Sequence, residues 1–368
     1  MRSTELHRWL DRTIGIPLIA AVSAFRRWRA LPASARRIAI LQPTAIGDTL
    51  ITSGIPAAVL ARFPDAHINI LHGPSNASAI AMIDADFTAR TLDFRRPDQV
   101  VRTLRSLKSE IVIDLSPWPR LTALCAMASG AVTIGYDSTG QGRGPAFDIP
   151  VEHRGDRHEL ENAAAVAAVF APDRPYKAAV KAPVAQADLD LPFERLVLFH
   201  TTCGGSRRLD RAWTVEKWTE LARRLGAEGY VIGFSGVKAE IPEIEPLRIA
   251  ASAHAETLLL AGRLSLPQFT HVLASSRALI SLDTGAVHIG SCLNAPVVGL
   301  YGPARALRWG PWSSAGVGID SPHPSAGYSI FGFETSPDCR AIMEAISVQA
   351  VYEGFQTVVR PLPPSPPS

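Results

Sequence analysis

The chain reads as an α/β protein built from two parallel-sheet halves, and three observations carry that reading. From Arg37 onward, short apolar runs of strand type alternate with amphipathic helical stretches, which is the pattern of parallel strands joined by helical crossovers. The alternation occurs twice, on either side of a Pro-punctuated stretch at 172–192. With 368 residues and 47% hydrophobic content, the chain is large enough to bury two ordinary cores.

In the first series, 38–41, 68–71, 91–94, 111–115 and 132–136 read as strands. The stretch 140–157, rich in Gly, Pro and charge, reads as an irregular excursion, and a helix is expected over 158–170. The second series places strands at 196–200, 230–234, 258–261, 278–282 and 297–301. Between the first two lies a helix at 214–225, where Val215, Trp218, Leu221 and Leu225 recur at helical spacing, so Trp218 is expected in the core. The tail 361–368 is Pro/Ser-rich and cannot build a core. The expected divisions are an extension at 1–36, halves at 37–185 and 186–335, a helical segment at 336–360 and the tail.

Charge excludes one class of function. The 37 basic against 34 acidic residues leave a net +3, which gives no broad field for nucleic acid. Cys125, Cys203, Cys292 and Cys339 show no C-x-x-C spacing, so neither a zinc site nor a disulfide framework is expected, and a cytoplasmic setting fits. The extension is different in character. Its apolar run at 14–25 is flanked by Arg8, Arg12, Arg26, Arg27 and Arg29, with Trp9 and Trp28 near the two ends. That is the composition of an interfacial membrane anchor over residues 1–30, with a helix docked on the protein as the competing reading.

Open parallel sheets bind ligands beyond the carboxyl ends of their strands, so the strand-end loops are the candidate sites, and two sheets facing each other would share one cleft. Three loops stand out. The first, Gln42 to Asp48, contains Thr44 and Gly47, with Asp48 placed at a helix start as either a helix cap or a reactive carboxylate. It lacks the spacing of a P-loop. The second, His200 to Trp213, combines Thr201, Thr202, Gly204 and Gly205 with Arg207, Arg208 and Arg211, a set suited to phosphate. In the third, Asp283, Thr284, Gly285 and His288 follow an apolar run and open a helix, where free N–H groups and the helix dipole favour an anion. Capping alone would also explain Asp283 or Thr284. The triplets Asp84-Ala85-Asp86 and Asp188-Leu189-Asp190 lie outside these loops and are read as chance rather than as metal ligands.

On these residues the chain resembles glycosyltransferase family 9, the heptosyltransferases of lipopolysaccharide core assembly. The resemblance runs from about Arg37 to Trp312. It rests on Ile46-Gly47-Asp48 with Pro56, His200-Thr201-Thr202 leading to Arg211-Ala212-Trp213, Leu260-Ala261-Gly262-Arg263 with Ser265-Leu266, Asp283-Thr284-Gly285 with His288, and Leu300-Tyr301-Gly302-Pro303. It implies a GT-B fold, two Rossmann-like domains facing a central cleft. It implies inverting transfer of a heptose or related sugar from ADP-heptose to a lipid-linked or lipopolysaccharide-type acceptor, with no cofactor and no metal; a non-catalytic nucleotide-sugar-binding protein of envelope assembly and a GT-B nucleotide-sugar epimerase are the alternatives, and the extension at 1–30 adds the expectation of a place at the cytoplasmic face of the inner membrane. By the same resemblance Asp48 is the general base, and Thr44 and Gly47 belong to the acceptor side. Thr201, Thr202, Arg211, Asp283, Thr284, Gly285 and His288 hold the donor, and Glu240 matches a ribose-contacting glutamate. Arg211 stands where the family usually has lysine.

Overall fold

The computed structural model describes residues 5–181, 189–204 and 208–359. The chain divides into two compact units, residues 1–181 and 182–368. In the first unit β1 (Arg37–Gln42), β2 (His67–His72), β3 (Thr88–Thr91), β4 (Ile111–Asp114), β5 (Val132–Ser138) and β6 (Ile149–His153) form one sheet in the order β3-β2-β1-β4-β5-β6. Every neighbouring pair is parallel. The helices are α1 (Glu5–Ser23) before the sheet, then α2 (Ile46–Ile51), α3 (Ile55–Arg62), α4 (Ala77–Met82), α5 (Pro97–Ser106) and α6 (Arg120–Ala128) between strands, and α7 (Glu159–Ala168) after β6.

The second unit repeats the plan. Strands β7 (Leu196–His200), β8 (Val231–Phe234), β9 (Thr257–Leu259), β10 (Ala278–Leu282), β11 (Val297–Tyr301) and β12 (Gly316–Asp320) pair in parallel in the order β12-β11-β10-β7-β8-β9. Between them run α8 (Val215–Ala227), α9 (Ile241–Ser252), α10 (Leu266–Ser275), α11 (Gly285–Cys292) and α12 (Ala306–Trp309), and α13 (Cys339–Glu344) and α14 (Val348–Val358) close the chain. Counted from its own first strand, each sheet has the order 3-2-1-4-5-6 of a doubly wound nucleotide-binding sheet. The central strands are buried on both faces, and this is why they read as continuous apolar runs.

Four expectations need correction, all at sheet edges; the first is the strand expected at 258–261, which lies at Thr257–Leu259 because the Leu260 and Ala261 N–H groups both turn to the single Phe234 carbonyl and end the ladder. The strand expected at 91–94 lies at Thr88–Thr91: the Leu92 N–H makes the last bond to β2, at the His72 carbonyl, and Phe94 beyond it turns into the core. The excursion expected at 140–157 contains β6, whose Pro150 is tolerated because β6 is the edge strand. The glycine-bearing β12 was not anticipated, although Gly318 is required there: a Cβ would stand 2.4 Å from that of Ala306. In α8, Trp218, Leu221 and Leu225 are buried as expected, but Val215 in the first turn is exposed. Residues of the linker from 182 to 188, and the tail, lie outside the described residues.

One buried ion pair fixes the strand ends of the first unit. Asp114 at the end of β4 and Arg143 in the β5–β6 connection are both fully buried, with Nη2 donating to Oδ2 at 2.6 Å. Arg143 also donates through Nη1 to the carbonyls of Ser116 and Tyr136, which ties the loops after β4 and β5 together. Asp114→Asn should lower unfolding stability by about 3–5 kcal/mol, because it leaves a buried guanidinium without its counter-charge, whereas Asp114→Leu with Arg143→Met should recover most of the loss. Urea unfolding of the three chains checks this, and equal stability of single and double variants would refute it.

Candidate active site

In the first unit the site begins at the end of β1. Ala45, not Asp48, is the N-cap of α2, and Asp48 is the third residue of that helix, its Oδ2 accepting the Ala45 N–H at 3.1 Å. The carboxyl therefore has a capping contact without being a cap residue. Gly47 and Thr44 are buried, and Thr44 Oγ1 accepts from Gln42 Nε2 at 2.6 Å. Burial pushes the Asp48 carboxyl from the ordinary 3.8 up to about 6, with the charge of Glu159 adding to the rise and the Ala45 N–H opposing it.

Glu159, His153 and Tyr136 complete this end of the sheet, and none of them carries a local sequence signal. Glu159 opens α7, and its Oε2 lies 2.8 Å from His153 Nε2 at the end of β6 and accepts from Asn162 Nδ2 at 3.1 Å. The Tyr136 ring of β5 meets the His153 ring edge-on with centroids 4.9 Å apart. Burial drives the Tyr136 hydroxyl pKa well up, and the charges of Glu159 and Asp48 drive it further, so it stays protonated.

In the second unit the expected donor residues gather at the ends of β7, β8 and β10. Arg211 stitches two loops: Nη1 donates to the Asp283 carbonyl at 3.1 Å and Nη2 to the Gly204 carbonyl at 3.1 Å. Thr284 is the N-cap of α11, its hydroxyl accepting the Ala286 N–H at 3.2 Å. The capping reading thus holds for Thr284, and Gly285 is the first residue of the helix. Burial raises the Asp283 carboxyl pKa, with Arg211 opposing. His288, one turn in, is buried and stacks on Trp312 at 5.6 Å, with Trp309 tilted beside it at 6.0 Å.

Thr201 and Thr202 are buried beyond β7, and the Thr202 hydroxyl has no hydrogen-bond partner among the described residues. His200 Nδ1 lies 3.0 Å from Ser235 Oγ, and burial lowers its pKa against the pull of Glu240. Glu240 sits after β8, with Oε2 accepting the Val237 N–H at 2.8 Å. Arg207, Ser206, Gly205 and Asp188 lie outside the described residues. Among the described residues no group of three or more His, Cys, Asp or Glu side chains is arranged to hold a metal.

The sequence pattern of glycosyltransferase family 9 (heptosyltransferase) matches residues 98–327. The chain belongs to that family. Asp48 lies outside the matched span, whereas Thr201, Thr202, Arg211, Glu240 and the Asp283–His288 loop lie inside it. Lipopolysaccharide heptosyltransferase 1 of Pseudomonas aeruginosa is 31% identical over 143 residues, 39% of this chain and 38% of that protein. Lipopolysaccharide core heptosyltransferase OpsX of Haemophilus influenzae is 28% identical over 35% of this chain and 36% of its own length. The chain is thus matched in sequence to well under two thirds of these relatives.

Whole-fold likeness is broader. The solved structure of E. coli ADP-heptose lps heptosyltransferase II aligns with a TM-score of 0.67 over 88% of this chain and 98% of its own, at 20% identity. A family 9 glycosyltransferase from Veillonella parvula aligns with a TM-score of 0.69 over 89% and 98%, at 17% identity. At such identities the likeness speaks for the fold, and the two parallel α/β units of this family member are of the GT-B type.

The raised Asp48 pKa has a measurable cost. Below pH 3.8 the carboxyl is protonated in both folded and unfolded chains; between 3.8 and about 6 the unfolded chain ionises first, so stability falls as pH rises, and above 6 the penalty is constant. Asp48→Asn, which keeps an oxygen for the Ala45 N–H, should match the parent in stability near pH 3.5. It should exceed the parent above pH 6 by at most about 3 kcal/mol, less by whatever solvent reaches the group. Chemical unfolding at both pH values checks this; a variant less stable at pH 7.5 would mark Asp48 as a capping residue.

Proposed function

We propose that the chain is an inverting glycosyltransferase that moves a heptose, or a closely related sugar, from ADP-heptose to a lipopolysaccharide core or other lipid-linked envelope glycan. It works at the cytoplasmic face of the inner membrane. The observation that carries this reading is the Asp48 carboxyl, pushed up to about 6 by burial in the first turn of α2 beyond β1, in a chain of glycosyltransferase family 9. A general base is most effective when its pKa lies near the working pH, because it is then largely ionised yet still basic enough to take a proton.

In the proposed step an acceptor hydroxyl oxygen attacks the anomeric carbon while Asp48 accepts its proton. The bond from that carbon to the diphosphate breaks on the opposite face, so the new glycosidic bond has inverted configuration. Negative charge grows on the departing diphosphate. Arg211, the Thr202 hydroxyl and the N-terminus of α11 would meet it, with no metal required. Arg211 supports this role because its guanidinium is already oriented by two carbonyls on two strand-end loops, so little order is lost when phosphate arrives. Glu240 and His288 would flank the nucleoside and sugar.

A panel of nucleotide-sugars, followed by mass analysis of lipopolysaccharide from a deletion strain, tests the donor and acceptor together. In a transfer assay run in excess EDTA, Asp48→Asn should cost at least about a hundredfold in turnover with donor affinity nearly unchanged. The parent's kcat/KM should fall as pH drops through about 6, where Asp48 takes up its proton. A variant that turns over at the parent rate removes Asp48 from the reaction. Arg211→Ala should weaken binding of ADP at least tenfold and of adenosine hardly at all, because only phosphate meets the guanidinium. Calorimetric titration of both ligands decides it, and equal losses would count against a phosphate contact.

A further inference from the structure

The extension before β1 satisfies both of its competing descriptions at once, on opposite faces. On its inner face α1 packs against α6 and the turn at 144–146. Asp11 accepts the N–H groups of Arg120 and Leu121 at 3.0 and 3.1 Å, at the start of α6, and pairs with the Arg120 guanidinium at 3.2 Å. Gly15 lets the Arg120 stem lie against the helix, since a Cβ there would sit 2.7 Å from that of Arg120. Ile19 is 1% exposed within the core of the unit. Beyond the helix, Arg26 and Arg29 both reach the buried Asp148 carboxylate, Arg29 at 2.9 Å. The helix is part of the folded unit.

Its outer face is apolar and uncovered. Ile14, Leu18 and Val22 recur four residues apart and are exposed, and Phe25 just past the helix end is 94% exposed. Trp9 and Trp28 are also exposed, so six of the twelve exposed large hydrophobic side chains among the described residues fall between 9 and 28. That concentration makes a patch rather than scattered surface residues. No charged residue occurs from Thr13 to Phe25. Charge is asymmetric as well: residues 1–36 hold seven arginines and two acids, net +5, whereas the remaining 332 residues hold 30 basic and 32 acidic groups, net −2. Among the described residues no helix is long and apolar enough to cross a membrane.

From this arrangement we infer that the outer face of α1 lies in the headgroup layer of an anionic lipid bilayer, so that the same helix completes the fold of the first unit and docks that unit on the membrane. An apolar face bordered by Trp9, Trp28 and the exposed Arg12 and Arg27 matches the interface, where acyl chains take the apolar side chains and anionic headgroups take the cations not already engaged by Asp148. A second copy of the chain would suit the apolar stripe but would bring two net-positive segments together, which the charge disfavours. The inference deepens the membrane location proposed above and rests on that location alone. Neither Asp48 nor the second unit enters it.

Full-length protein should cosediment with vesicles of equal phosphatidylglycerol and phosphatidylcholine. Binding should weaken at least tenfold on pure phosphatidylcholine and at least tenfold for Ile14→Ser/Leu18→Ser. Phe25→Ser, which lies outside the helix and touches no core, should weaken binding severalfold with an unchanged melting temperature, and it keeps the test open should the double variant fold poorly. Vesicle binding by Phe25→Ser at the parent level would overturn the inference, as would failure of the parent to bind. So would a dimer in sedimentation that dissociates on substitution while no vesicle binding occurs, since the second copy would then be the occupant. Because no turnover is measured, loss of vesicle binding would leave the glycosyl-transfer reading untouched, and loss of transfer would leave this one untouched.

Discussion

In each unit the order of strands turns back on itself beside the first strand, and nearly every residue of functional interest depends on that one topological constraint. Parallel strands need crossovers of fixed hand, so a chain that adds strands first to one side and then to the other must send helices to opposite faces of the sheet. At the reversal the strand ends are left uncovered by helix. In the first unit the reversal lies between β1 and β4, and Asp48 follows β1 directly. In the second it lies between β7 and β10, and Thr201, Thr202 and the Asp283–Gly285 turn follow those two strands. The backbone hydrogen bonding of the sheets thus sets where chemistry can occur before any side chain is chosen.

The two strand ends are furnished with opposite electrostatics. Around Asp48 burial disfavours ionisation, the charge of Glu159 adds to it, and no cation is hydrogen-bonded to the carboxyl among the described residues, so the group stays basic. Around Asp283 the guanidinium of Arg211 opposes the effect of burial, and a helix N-terminus adds partial positive charge. The first arrangement matches the proposed proton acceptor, and the second matches the proposed phosphate site. The first arrangement does not serve stability, since a desolvated carboxyl costs free energy. Rules of local consistency are expected to break where a chain has a task beyond folding.

What the sequence disclosed follows from the same physics. Strands buried on both faces, such as β7, β10 and β11, are continuous apolar runs and were read to the residue. Edge strands were misplaced or missed: β3 is mostly exposed, β6 carries Pro150, and β12 carries two glycines, so none of them shows the pattern of a buried strand. At the sites, Asp48, Arg211 and the Asp283–His288 turn were legible because each lies in a short motif beside a strand end. Glu159, His153 and Tyr136 were not, because three separate elements bring them together only in the folded unit. Arg143 and Asp114 were hidden for the same reason, as a charged pair is unreadable as core until its partner is placed.

The extension shows why a single amphipathicity argument could not choose between docking and anchoring. A helix that is apolar nearly all round has no polar face to mark as the outer one, and 14–25 offers only small or apolar residues in every direction. The choice is made by the charges outside the run. Asp11 and the arginines at 26 and 29 find partners on the first unit and so determine which side turns inward. Once those ion pairs are set, Ile14, Leu18 and Val22 have to face outward, where exposure to water is unfavourable and burial in another apolar phase would relieve it. The ion pairs that dock the helix are therefore the cause of the uncovered apolar face, and the two properties are one consequence of where the charges lie.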